Sequence, residues 1–167
     1  MVDELLLDTS YLLPIFGVKL EYRDFETVFS KLNERYAIIY NPVSLIEAKW
    51  IILKYSRKVP AQRDVLLQAY RKGLLSLEKD PRLQSSILIS EGIEELSDNL
   101  LTELGVTDYF DRQIYSTAAN LHFNLLTEDE SLHELFNKSG AKLPKPKKIM
   151  KWKNLLVEKK QRAPSSG

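Results

Sequence analysis

The chain has 167 residues and a mass of 19.3 kDa, the size of one ordinary domain. With 44% apolar and 28% charged residues, six Gly and seven Pro, it falls outside the disordered and fibrous classes. The absence of cysteine excludes disulfides, thiolate metal sites and Cys nucleophiles, so a metal would be held by oxygen ligands or by the two histidines, and an oxygen site favours Mg or Mn. The formal charge of +1 is an average: residues 137–167 hold ten Lys or Arg against Glu158 alone and carry +9, leaving −8 on the first 136. An acidic body and a basic tail suit different partners, cations for one and phosphate for the other. No apolar run approaches the roughly 20 residues of a membrane span, and the acidic start MVDELLLD is unlike a signal peptide, so a cytoplasmic protein is expected.

Four short apolar runs, at residues 5–7, 37–40, 86–89 and 123–126, have strand length and polar or turn boundaries. Helical periodicity occupies residues 24–35, 43–57, 62–78, 91–104 and 108–122. Strands that are apolar throughout, alternating with helices, predict a three-layer α/β/α domain with a central parallel sheet. Pro60 separates two helical patterns and Asp80-Pro81 ends the second, which predicts a helical hairpin. After Ser139-Gly140 the composition turns to Lys and Pro, followed by an expected short helix over residues 149–158 and an unstructured APSSG end. The expected division is a main α/β domain over residues 1–138 and a basic extension over residues 139–167.

Ligands of open parallel sheets bind outside the carboxyl ends of the strands. Asp8 directly follows the first strand, Asp129 follows the last, Glu47 lies on the helix after the second, and Asp111 is in the first turn of the helix before the last. Carboxylates gathered in one cleft repel each other unless a cation compensates. Each also has a plainer reading: Asp8 as a cap, Thr127-Glu128-Asp129-Glu130 as a capping box, and Asp108 and Asp111 as acids that complement a helix dipole. Glu47 fits none of these, because its helical neighbours Val43, Trp50 and Ile51 form an apolar stripe.

Taken together, these segments resemble the PIN domain, a family of metal-dependent ribonucleases that includes the VapC-like toxins of toxin–antitoxin pairs. The resemblance covers residues 5–136. It rests on LLLDTSYLL at Asp8, NPVSLIEAKW at Glu47, and a D-x(6)-A segment at Asp111 and Ala118 followed by Leu125-Leu126, Thr127-x-Asp129 and Leu132. Asp111 and Asp129 are separated by 18 residues, a spacing such domains commonly show. The resemblance implies a sheet of four or five strands and a pocket in which Asp8, Glu47, Asp111 and Asp129 bind one or two Mg²⁺ or Mn²⁺ ions. Ser10, Thr127 and Asp108 would stand just behind them. The implied activity is metal-assisted hydrolysis of phosphodiester bonds in single-stranded RNA, either as a toxin restrained by an antitoxin protein or as an RNA-processing enzyme, with homodimerisation expected by analogy. The alternative is a catalytically inactive module of the same fold that binds nucleic acid or acts as a scaffold.

Phosphatases of the haloacid dehalogenase type also begin with a strand and an aspartate, but they need D-x-D, and the second position here is Ser10. Neither a P-loop nor a Rossmann glycine motif is present. His122 and His133, eleven residues apart, match no local ligand spacing and are expected to be structural or surface residues. For the basic tail, Lys145, Lys147, Lys148, Lys151 and Lys153 are candidates to hold RNA phosphates, and Trp152 either stacks on a base or packs back onto the domain. A second basic cluster, Lys54 to Lys58 with Arg63, could flank the substrate.

Overall fold

A computed structural model describes residues 2–19, 21–22, 25–138 and 142–161. The five strands are β1 (Asp3–Leu7), β2 (Tyr36–Tyr40), β3 (Leu83–Ser85), β4 (Asn124–Leu126) and β5 (Lys148–Met150), in the order β3-β2-β1-β4-β5 with every pairing parallel. The helices are α1 (Phe25–Phe29), α2 (Val43–Lys58), α3 (Arg63–Lys79), α4 (Glu91–Leu104), α5 (Tyr109–Asn120), α6 (Glu130–Lys138) and α7 (Trp152–Gln161). From the central β1 the chain builds outward through β2 and β3, then returns to add β4 and β5 on the other side. Such a reversal of strand order, here at the carboxyl ends of β1 and β4, is where the crevice of an open parallel sheet lies.

The two-residue period of a strand sorts each apolar run between two cores. Leu5, Leu7, Ile38, Leu126 and Met150 face one layer, where they meet Leu12, Phe16, Ile52 and Tyr70, with Trp152 and Leu155 of α7. Leu6, Ile39 and Leu125 face the other, against Leu96 and Leu100 of α4, Ile114 and Ala118 of α5, and Leu132 of α6. Both faces of the sheet are covered, which is why Leu5, Leu6 and Leu7 are all fully buried although they are consecutive. The expected three-layer architecture and the α2–α3 hairpin are both present.

At Gly73 the hairpin makes a close approach: a Cβ there would lie 2.5 Å from the Ile15 carbonyl oxygen and from the Phe16 ring. Tyr70, one turn earlier, donates its hydroxyl to the Leu45 carbonyl at 2.7 Å and packs its ring on Phe16. The α3 backbone is thereby pressed onto the turn that follows β1.

Several elements differ from expectation. The third strand is residues 83–85, not 86–89. Leu83 to Ser85 pair with Ile38 to Tyr40, after which the Asn41 side chain takes the carbonyls of Ile87 and Leu88, each at 3.3 Å, and draws the chain off the sheet. Ile87, Leu88 and Ile89 are consequently exposed. The helix expected over 24–35 is a short α1 followed by a separate turn at Leu32–Glu34, and residue 24 lies outside the described residues. In the tail, residues 148–150 form β5 and the helix begins only at Trp152. Because β5 pairs with β4 and Trp152 and Leu155 are buried, residues 148–155 belong to the same sheet and core as the rest. The Ser139-Gly140 junction and the APSSG end lie outside the described residues. Among the described residues, no helix is long and apolar enough to cross a membrane.

Candidate functional site

Asp8 leaves β1 at the crevice. Its backbone N–H donates to the Leu126 carbonyl at 3.0 Å, which ties the ends of β1 and β4 together. Its Oδ1 accepts the Thr9 N–H at 2.6 Å and its Oδ2 accepts the Thr127 hydroxyl at 2.7 Å. A carboxylate oxygen has two acceptor directions, so each retains one for a further partner. Burial pushes the Asp8 pKa up against these two hydrogen bonds, and the charges of Asp129 and Glu128 add to the rise.

Two threonines link the acids. Thr9 donates its hydroxyl to Glu47 Oε2 at 2.5 Å, so Glu47 on α2 is held to the turn that Asp8 begins. Burial raises the Glu47 pKa, with the charges of Asp8 and Asp108 contributing. On the other side, the buried Thr127 hydroxyl that donates to Asp8 also accepts the Asp129 N–H at 3.0 Å. Asp129 Oδ1 in turn accepts the Leu132 N–H at 3.1 Å and caps α6. Asp129 thus caps α6 while its backbone N–H is tied to the same threonine hydroxyl that bonds Asp8. Glu130 does not close the expected capping box; it pairs with Lys151.

Asp108 caps α5, its Oδ1 accepting the N–H groups of Phe110 at 2.9 Å and Asp111 at 3.2 Å. The half-buried Asp111 is strongly perturbed as well. Burial and then the charges of Asp108, Asp129, Asp8 and Glu47 push its pKa up to about 7. The charges acting most strongly on it are all negative. The loop before α5 is fixed by Arg112, whose buried guanidinium donates to the carbonyls of Val106 and Thr107 at 2.9 Å each. A cavity of about 340 Å³ opens there, bounded by Asp108, Asp111, Ser131 and Lys138.

Asp8, Glu47, Asp111 and Asp129 thus share one electrostatic field at the crevice, and Thr127 stands behind two of them. The chemistry of this donor set, hard carboxylate oxygens with no cationic side chain prominent in the field of Asp111, fits Mg²⁺ or Mn²⁺. Among the described residues, however, no group of three or more His, Asp or Glu side chains is drawn together closely enough to hold a metal ion. The Ser10 hydroxyl is buried in the turn after Asp8.

The tail residues divide. Lys147 pairs with Asp3 at 2.5 Å, at the amino edge of the sheet and opposite the acids, and Lys148 begins β5 at the same edge. Lys145 lies over the Phe136 ring. Lys151 and Lys153 follow the carboxyl end of β5, where Lys151 meets Glu130. Trp152 is only 3% exposed, with its ring stacked on Tyr11 and Tyr22 at 5.9 and 6.0 Å, so it presents no face to a base. Of the histidines, His133 Nε2 contacts the Thr127 carbonyl at 3.0 Å, and exposed His122 sits in a left-handed turn before β4.

Three residues at this edge were not anticipated. Asn41, fully buried at the end of β2, donates to Thr117 Oγ1 at 2.8 Å and accepts the Val43 N–H at 2.8 Å, which starts α2 in the direction that brings Glu47 to the crevice. Its place one residue past an apolar strand, before Pro42, was the available signal. Thr9, inside the DTS motif, and Glu128, between Thr127 and Asp129, are adjacent to anticipated residues, but their long-range partners carry no local signature.

No protein-family model matches the sequence, and no curated protein matches it. Solved structures do. VapBC2 from Rickettsia felis, crystallised bound to a DNA fragment from its promoter, aligns with a TM-score of 0.61 at 18% identity, covering 91% of this chain and 99% of that one. PAE2754 from Pyrobaculum aerophilum aligns with a TM-score of 0.59 at 21% identity, covering 97% and 100%. At such identities the likeness concerns the fold alone, and with the five-stranded parallel sheet and its acidic crevice it establishes that this chain has a PIN-like fold.

Proposed function

We propose that the protein is a divalent-cation-dependent endoribonuclease that hydrolyses phosphodiester bonds of single-stranded RNA in the cytoplasm. The observation that carries this reading is the pair of threonine links: Thr9 joins the Asp8 turn to Glu47, and Thr127 joins Asp8 to Asp129. Carboxylates from three separate elements are held at the switch point of a parallel sheet, where ligands of such sheets bind. Asp8, Glu47, Asp111 and Asp129 would hold one or two Mg²⁺ or Mn²⁺ ions. Bound there, the metal supplies charge compensation to the phosphate and an activated water. Thr127 orients Asp8 and positions the backbone of Asp129, Asp108 fixes the first turn of α5 under Asp111, and Ser10 lies in the turn behind Asp8.

Lys151 and Lys153 stand on the same edge as the acids and serve the RNA phosphates; the exposed Lys54, Arg57, Lys58 and Arg63 form a second phosphate-binding surface at the α2–α3 turn. The cavity beside Asp108 and Asp111 admits the strand. The protein's role is that of a toxin restrained by an antitoxin protein, a reading with which the VapBC2 likeness agrees, or of an RNA-processing enzyme, and homodimerisation rests on the family resemblance alone. Mn²⁺-dependent cleavage of single-stranded RNA, abolished by EDTA and by Asp8→Asn, is the expected result. Equal cleavage by wild type and Asp8→Asn refutes the assignment, and RNA binding without cleavage favours an inactive module.

A further inference from the structure

We infer that Glu128 is a positioning residue that locks the C-terminal helix to the rim of the acidic crevice and thereby sets the spacing of Asp8 and Asp129. This rests on the nuclease reading for its metal-binding consequence but not for its structural one. Glu128 Oε1 accepts the Tyr11 hydroxyl at 2.5 Å and the Trp152 N–H at 2.5 Å. One carboxylate oxygen therefore joins the turn that begins at Asp8, the loop that ends in Asp129, and the first residue of α7. These three segments leave the carboxyl ends of β1, β4 and β5.

The surroundings make the joint specific. Tyr11 is fully buried, and burial together with the Glu128 charge holds its phenol far above the ordinary tyrosine pKa, so it remains a donor. The Tyr11 ring lies 5.9 Å from that of Trp152, and Leu155, nearly one turn further along α7, is fully buried. A carboxylate at the N-terminus of α7 also complements the helix dipole. With Oε1 occupied by two donors, Glu128 holds the walls of the crevice, while Asp8, whose oxygens each retain an acceptor direction, would be the group left to hold a cation.

The test uses the full chain. Glu128→Gln keeps the volume and supplies an amide oxygen in place of Oε1 that can accept from Tyr11 and Trp152; Glu128→Ala removes the acceptor; Tyr11→Phe removes one donor. Two quantities are read: hydrogen-exchange protection of residues 148–161, and Mn²⁺ affinity by calorimetry without RNA. Glu128→Ala is expected to lose tail protection and to weaken Mn²⁺ binding by about tenfold or more, as loss of a supporting partner does. Glu128→Gln is expected to retain most of both, and Tyr11→Phe to fall between. Should Glu128→Gln lose Mn²⁺ binding as completely as Glu128→Ala while the tail stays protected, Glu128 is a ligand and the inference is overturned. Unchanged tail protection in both Glu128→Ala and Tyr11→Phe overturns it as well. If Glu128→Ala does not fold, the contrast between Glu128→Gln and Tyr11→Phe decides. A wild type that binds no Mn²⁺ defeats the nuclease reading alone, because tail protection is measured separately.

Discussion

Asp111→Asn should stabilise the metal-free protein. Asp111 has an ordinary pKa of 3.8 and is pushed up to about 7 in the fold, first by burial and then by four neighbouring carboxylates. A folded-state pKa above the unfolded value means that the fold favours the protonated acid. Its contribution to stability is therefore full below pH 3.8 and is lost as pH rises through about 7. At about 1.4 kcal/mol per pKa unit the whole interval corresponds to a gross penalty of about 4 kcal/mol. Solvent screening of a half-buried group, shared titration among neighbours and the dipole of α5 reduce this to about 1–2 kcal/mol net. Asparagine keeps the shape and removes the charge. In EDTA at pH 8 the variant should melt about 3–6 °C above wild type. The gap should shrink by about half by pH 5 and close near pH 3.8. Saturating Mn²⁺ should reverse the order, since a ligand at 100 times its Kd stabilises wild type by about 2.7 kcal/mol. A variant less stable than wild type at pH 8 in EDTA, or a gap independent of pH, refutes the view that the crevice stores electrostatic repulsion.

Gly73→Ala places a Cβ 2.5 Å from the Ile15 carbonyl oxygen and should destabilise by about 1–3 kcal/mol in urea unfolding; no change would mean that α3 does not press on that turn. Asn41→Ala leaves the carbonyls of Ile87 and Leu88 without their donor and should cost about 1–3 kcal/mol, with faster proteolysis between residues 85 and 90. Trp152→Ala should destabilise by about 3–5 kcal/mol, whereas Trp152→Phe should keep RNA affinity close to wild type; a selective loss of RNA binding in Trp152→Phe would restore the base-stacking role. Neutralising Lys151 and Lys153 together should lower the salt dependence of single-stranded RNA binding by about 1.4 units of slope, while Lys147→Ala, on the opposite edge, should leave it unchanged.

Much of the fold was legible because the patterns that specify it are local. Leu5 to Leu7, a short apolar run with polar flanks, read as a strand buried on both faces, and α4 spans residues 91–104 in the structure as in the pattern, because Ser90 caps it and Gly105 ends it in a left-handed turn. The misreading at residues 86–89 has the same origin. Hydrophobicity marked SILI as a strand, but pairing belongs to Leu83 to Ser85, and the Asn41 amide, 46 and 47 residues away in the chain, recruits the carbonyls that would have continued the ladder. In the tail, the helix expected over residues 149–158 is β5 followed by a helix from Trp152, and of the two readings open for Trp152 the burial of Met150, Trp152 and Leu155 decides for packing onto the domain.

The sequence by itself determined which residues carry charge on which element: Asp8 after one strand, Asp129 after another, Glu47 and Asp111 on helices between them, and a near-neutral total that hides an acidic body and a basic tail. Spacing along a chain specifies an element and a face, so those assignments followed from local physics. Only the tertiary structure decided that Thr9 and Thr127 link the acids, that Lys147 and Lys151 end on opposite edges of the sheet, and that Trp152 faces the core. Each depends on contacts between segments up to 144 residues apart in the chain, and contacts across such distances leave no periodic trace in the sequence.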